Sequence, residues 1–174
     1  MLRSRLLLAP ALVVAACETP DPLRVLKVTG VETYWAVDSS VRSNNYIAPV
    51  VRLHLTNQSA QTLELVEAKA AFFRQGEKDQ WGGAWQPLPH ALKPAQTALV
   101  VLKSDGHYYS EGTPESMFRH EQFRDARAEL ALRVGSSDFA HFDSYEIERR
   151  IGSREAQLDS APTSDAEPVA PASR

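Results

Sequence analysis

The chain has 174 residues, of which 43% are hydrophobic and 24% charged, with a formal net charge of −3. That composition is ordinary for a globular protein, and so modest an acidic balance argues against nucleic acid or an anionic membrane face as partner. A single cysteine, Cys17, leaves no internal disulfide to form, so any folded domain depends on its core alone.

The amino terminus reads MLRSRLLLAPALVVAAC. Arg3 and Arg5 form a short positive region, and Leu6 to Ala16 form an apolar stretch of eleven residues. A bilayer core needs about 20 apolar residues, so the stretch reads as a secretory signal rather than a membrane helix. Small residues close it, as a signal-peptidase cleft requires. Val14-Ala15-Ala16-Cys17 resembles the lipobox of bacterial lipoproteins. That resemblance implies that cleavage falls after Ala16 and that Cys17 becomes the first residue of the mature chain. It also implies a covalent diacylglycerol and an N-acyl chain on Cys17, with no other cofactor expected. One acyl chain anchors marginally, whereas two or three hold essentially permanently. Residue 18 is Glu. An Asp there resembles an inner-membrane retention signal in Gram-negative lipoproteins, so the resemblance leans toward an outer-membrane anchor facing the periplasm. Processing leaves 17 basic residues against 22 acidic ones, a formal balance of −5.

The expected organisation is a signal over 1–16, a lipidated tether over 17–22, one domain over 23–151 and a tail over 152–174. The tail has Leu158 and Val169 as its only large aliphatics and is rich in Ala, Ser, Pro and acids. It buries too little apolar surface to offset its ordering entropy and is expected to be disordered.

Within the domain, 23–37 (LRVLKVTGVETYWAV) is expected to be a strand. Residues 49–57 (PVVRLHLTN) alternate Val51, Leu53 and Leu55 against Arg52, His54 and Thr56, which marks a half-buried strand. In 63–73 (LELVEAKAAFF) the pattern puts Val66, Ala68, Ala70 and Phe72 on one face, although the Ala and Glu content also suits a helix. The continuously apolar 97–103 (TALVVLK) is expected to be covered on both faces. Residues 126–135 alternate Ala128, Leu130, Leu132 and Val134 against Arg127, Glu129, Ala131 and Arg133, and 143–151 completes the set. Turn chemistry separates these runs at 57–59, 75–76, 82–83, 104–106 and 135–137. Thr113 as N-cap, Pro114 and Glu115 predict one short helix within 113–123. The expected fold is all-β, an antiparallel immunoglobulin-like sandwich with one short helix.

The stretch 49–103 also resembles the sandwich modules of bacterial envelope lipoproteins, including the FxLyD type. The matching parts are Val51 to Ser59, Phe72-Phe73 through Gly76, and the Leu92-Lys93-Pro94-Ala95-Gln96-Thr97 approach to the next strand. The aromatic motif itself is broken, with Ala-Phe-Phe-Arg in its place. These motifs imply a fold and leave function open.

No catalytic constellation is legible. His54, His90, His107, His120 and His141 never pair at metal-ligand spacing, and no cysteine remains to assist. G-x-S-x-G, phosphate-cradling and H-E-x-x-H motifs are absent. Glu111, Glu115 and Glu121 do not make an acid pair by spacing alone. Asn57-Gln58-Ser59 matches a glycosylation triplet but reads most simply as a turn, and Glu146, Glu148 and Arg150 read as a solvated strand face. The candidate binding residues are aromatic: Trp81 and Trp85 around Gly82-Gly83, and Tyr108 and Tyr109 beside His107. Aromatic rings on loops stack on sugars or anchor protein interfaces; the alternative is that the tryptophans cap the core edge. Two functions are therefore expected, neither enzymatic. One is a membrane-anchored accessory module that docks on another envelope protein, with the aromatic loops gathered at one end. The other is a module that binds peptidoglycan or polysaccharide through exposed rings.

Overall fold

A computed structural model describes residues 20–37, 46–74, 76–109, 113–119 and 126–152. Ala16, Cys17, His120, Glu111, Glu121 and the tail from 153 onward lie outside the described residues.

Among the described residues eight strands form two antiparallel sheets: β1 (Leu26–Val37), β2 (Tyr46–Asn57), β3 (Val66–Phe73), β4 (Gly82–Pro87), β5 (Thr97–Lys103), β6 (Tyr108–Tyr109), β7 (Arg127–Val134) and β8 (Ala140–Glu146). One sheet runs β1-β2-β5, with β6 also on β2, and the other runs β4-β3-β7-β8. The all-β sandwich expected from the sequence is what forms. The alternating strands behave as their patterns require. Val51, Leu53 and Leu55 of β2 and Ala128, Leu130, Leu132 and Val134 of β7 are buried, while their odd-phase neighbours are half-buried. The 63–73 ambiguity resolves as strand, because Val66, Ala68, Ala70 and Phe72 meet the same core. Trp35, Ile47, Leu53, Leu55, Phe72, Leu102, Leu130 and Leu132 fill it.

Several boundaries differ from the sequence reading. Residues 23–25 are not strand: Pro22–Val25 makes one helical turn, α1, capped by the Asp21 carboxylate, which accepts from the Leu23 N–H at 3.0 Å. β3 begins only at Val66, since Leu65 holds a positive φ of 50° that ends extended geometry, and Leu63 instead bridges Leu92. β5 is not covered on both faces. Val100 and Leu102 enter the core, whereas Val101 lies on the outer side in a small second cluster with Tyr34, Ala36 and Val50. No helical layer covers that outer side among the described residues. β8 ends at Glu146, earlier than the predicted 151. The chain then crosses to the free edge of β1, where Trp35 N–H donates to Arg150 O and Gly152 N–H to Trp35 O, both at 2.9 Å. The predicted helix is a 3-10 turn over Pro114–Arg119, with the Ser116 N–H donating to Thr113 O at 2.9 Å.

Gly82-Gly83 is not a turn. Both residues belong to β4, opposite Phe72 and Ala71, and the reversal falls in the residues before Trp81. The glycine serves close approach instead: a Cβ at Gly82 collides with Ser104 Oγ and the Gly106 backbone. Gly30 has a different need. It stands at the register shift between β1 and β2 with a φ of +59°, and a Cβ there meets the His54 ring at 3.0 Å.

The sheets are stitched along both sides. Thr33 Oγ1 donates to Glu146 O at 2.8 Å and accepts from Glu148 N–H at 3.0 Å. On the opposite side Asp105 N–H donates to Gly83 O at 2.9 Å, and Val101 N–H donates to Gln86 Oε1 at 3.0 Å. These bonds occupy edge groups that otherwise invite strand pairing.

Candidate functional site

Strand register defines two opposite ends. α1, the turn after Asn57 and the β7–β8 turn share one; the start of β2, the end of β3, the start of β4 and the 104–109 segment share the other. The sequence-predicted aromatic segments do gather at that second end, because 81–83 packs directly on 104–108.

Within this end the rings divide into a buried set and an exposed set. Trp81 stacks on Tyr108 with centroids 4.1 Å apart and planes 25° from parallel. Tyr108 in turn meets the edge of Trp35 at 5.5 Å, and Phe118 of the 3-10 turn lies 6.2 Å from Trp35. Arg74 clamps the stack: its guanidinium lies 5.2 Å from the Tyr108 ring centre and 5.6 Å from that of Trp81, and Nε donates to the Tyr108 hydroxyl at 3.0 Å. Tyr108 and Trp81 are therefore packing residues that make a rigid support. The segment is also more ordered than a loop, since Tyr108 and Tyr109 form β6 opposite Ile47 and Tyr46.

The exposed set stands on that support. Tyr109 is 56% exposed and tilts against Tyr46 at 5.4 Å, while exposed His107 meets the edge of the same Tyr46 ring at 4.9 Å. Tyr46 and Arg74 were missed by sequence reasoning. The alternation of 49–57 extended backward by three residues includes Tyr46. Arg74 carries no local signal for this role, because the Tyr108 hydroxyl that it holds is 34 residues away.

Trp85 belongs to neither set. It lies on the outer face of the β4-β3-β7-β8 sheet, 58% exposed and directly opposite Lys69 of β3. It borders an open depression of about 480 Å³ lined by Lys69, Gly83, Ala84, Trp85, Lys103 and Asp105.

Among the described residues, no three His, Cys, Asp or Glu side chains converge as a metal site. His54 is on β2, His90 in the turn after β4 and His141 on β8.

Burial pushes the Tyr108 hydroxyl pKa above its ordinary value, against the hydrogen bond and charge of Arg74, which lower it. Because the folded value lies above the unfolded one near 10, this tyrosine's contribution is intact below that pH and is lost as pH rises through the folded value. The expected result is a melting temperature that falls above about pH 10 more steeply in the wild type than in Tyr108→Phe. Parallel profiles contradict the assignment.

No family model matches the chain, and no curated protein matches it. Among solved structures, an Arabidopsis thaliana protein determined in solution is similar at 15% identity and a TM-score of 0.47, over 84% of this chain and 95% of that one. A crystallised Archaeoglobus fulgidus protein is similar at 11% identity and a TM-score of 0.42, over 70% of this chain and 98% of that one. A calcium-binding mutant of Bacteroides uniformis beta-glucuronidase 2 is similar at 14% identity and a TM-score of 0.42, over 70% of this chain and 12% of that one. No functional statement follows from similarities at this level.

Proposed function

We propose that the protein is a lipid-anchored, non-enzymatic accessory factor of the cell envelope, whose head docks on another envelope protein through its exposed aromatic end. In this reading Cys17 carries the lipid after cleavage at Ala16, and the absence of an Asp at residue 18 favours an outer membrane, facing the periplasm, in a Gram-negative source. One observation supports it most: the fold begins at the end opposite the exposed rings. Pro22 is buried in the first turn, and the four residues from Cys17 to the Asp21 cap extend at most about 14 Å. A lipid on Cys17 thus holds the α1 end at the bilayer and points Tyr46, His107 and Tyr109 away from it.

The surface chemistry suits both halves of that reading. Exposed Leu23 and Leu65 belong to the α1 end, where apolar contact with lipid headgroups is harmless. Tyrosines on a preformed support lose little conformational entropy on binding and are favoured interface anchors. No helix among the described residues is long and apolar enough to cross a membrane.

Cys17→Ser is the first test. The variant is expected to leave the membrane fraction for the soluble fraction, since the lost acyl chains each contribute about 0.8 kcal/mol per buried methylene. Unchanged fractionation with membranes overturns the anchor.

A further inference from the structure

Trp85 is the described tryptophan that packing does not account for. Trp35 is enclosed and Trp81 is stacked, whereas the Trp85 indole stands out from the middle of a strand. Its surroundings are built to leave it accessible. Gly83, two residues earlier on the same face of β4, has no side chain, and Ala71 opposite it on β3 has only a methyl group. The rim is fixed by a reciprocal pair: Gly83 N–H donates to Asp105 Oδ1 at 2.7 Å, and Asp105 N–H donates to Gly83 O at 2.9 Å. Lys69, opposite Trp85 on β3, and Lys103, at the end of β5 in the other sheet, line the same depression.

We propose that this depression binds an acidic glycan, with the Trp85 indole stacked on the apolar face of one pyranose ring and Lys69 and Lys103 paired with its carboxylates. A pyranose presents C–H groups on one face and hydroxyls around its rim. A flat indole on a strand covers that face with few torsions to freeze. Lys69 and Lys103 outnumber the single carboxylate of Asp105 in the lining, so the depression is locally positive on a chain that is acidic overall, and that sign favours a carboxylated sugar over a neutral one. The free oxygen of Asp105 accepts from a sugar hydroxyl. Size favours a saccharide over a protein: about 480 Å³ is within the range of small-ligand sites, whereas a stable protein interface buries about 800 Å² on each partner. The site lies where β4 meets the segment after β5, shares no residue with the Tyr46, His107 and Tyr109 group, and depends on neither the anchor nor the docking reading.

The test is isothermal titration calorimetry on the full chain in detergent with three probes: hexagalacturonate, neutral cellohexaose and hexaglutamate. Saturable binding of hexagalacturonate is expected, with cellohexaose and hexaglutamate each at least about tenfold weaker. Trp85→Ala is expected to abolish it and Trp85→Tyr to retain it. Lys69→Ala or Lys103→Ala is expected to weaken it about tenfold. All three positions line the depression, and near-ultraviolet circular dichroism verifies that each of the four variants is folded. Absence of saturable hexagalacturonate binding overturns the proposal, as does binding that survives Trp85→Ala. Equal binding of cellohexaose removes the acidic class, and equal binding of hexaglutamate reduces the site to a polyanion contact; either result is contrary to the proposal.

Discussion

Replacing Trp35 with alanine is expected to destabilise the fold by about 3–5 kcal/mol, the range for removing a large buried aromatic side chain. Trp35 is fully enclosed, at 0% exposure, and it is where three parts of the molecule meet. Its ring packs against Tyr108 of β6 and Phe118 of the 3-10 turn, while its backbone accepts and donates the two bonds that fasten 150–152 to the β1 edge. The cavity therefore loosens the Tyr108–Trp81 stack as well as the core, and the 104–109 segment loses its support. Urea unfolding monitored by far-ultraviolet circular dichroism reads the effect. Trp85→Ala in the same assay is expected within about 0.5 kcal/mol of wild type, as for an exposed side chain without structural partners. A Trp35→Ala loss below about 1 kcal/mol contradicts the core assignment.

Asn57 is expected to be nearly as sensitive, for a polar reason. Its side chain is 1% exposed and uses its whole hydrogen-bonding capacity. Nδ2 donates to Gln61 O at 2.7 Å and Leu92 O at 2.8 Å, while Oδ1 accepts from the Ser59 N–H at 2.8 Å and Ser59 Oγ at 2.7 Å. Asn57→Ala removes all four bonds and leaves the buried Leu92 carbonyl without this donor, and about 2–4 kcal/mol is the expected loss. Asn57→Asp gives a sharper result. A carboxylate there faces the Gln61 and Leu92 carbonyls, so its pKa in the folded state is raised above the usual aspartate value near 3.9. The variant is then most stable at acid pH and loses stability as pH rises through the folded value, a dependence the wild-type amide does not have. An Asn57→Asp pH profile matching the wild type contradicts this network. The same burial explains why the Asn57-Gln58-Ser59 triplet acts as a turn: its amide is occupied and enclosed.

What the sequence disclosed follows from how local each cause is. β2 and β7 were legible because one buried face imposes period two on adjacent residues, and 113–119 because cap chemistry acts within a turn. β5 misled because an apolar run does not distinguish a strand covered twice from one whose outer residue, Val101, is half-buried against a small second cluster of Tyr34, Ala36 and Val50. Gly82-Gly83 misled because glycine serves turns and close approach alike. The features that divide the aromatic residues into support and surface were not legible. Arg74 reaches Tyr108 across 34 positions, and Thr33 joins Glu146 across 113. Only the folded topology makes such pairs neighbours. Of the candidate residues, Trp81 and Tyr108 became structure, His107 and Tyr109 an exposed end, and Trp85 a separate surface, a division that composition and spacing do not encode.

The central claim is directional: a head held at its α1 end presents Tyr46, His107 and Tyr109 outward to a protein partner. Photo-crosslinking in intact cells tests it, with the reactive residue placed at position 109 or, at the opposite end, at position 65. The account predicts one reproducible protein adduct from position 109, lost when Tyr46 and His107 are both changed to alanine and kept in Trp85→Ala, and no such adduct from position 65. An adduct from position 65 alone, or the same set of neighbours from both positions, contradicts it.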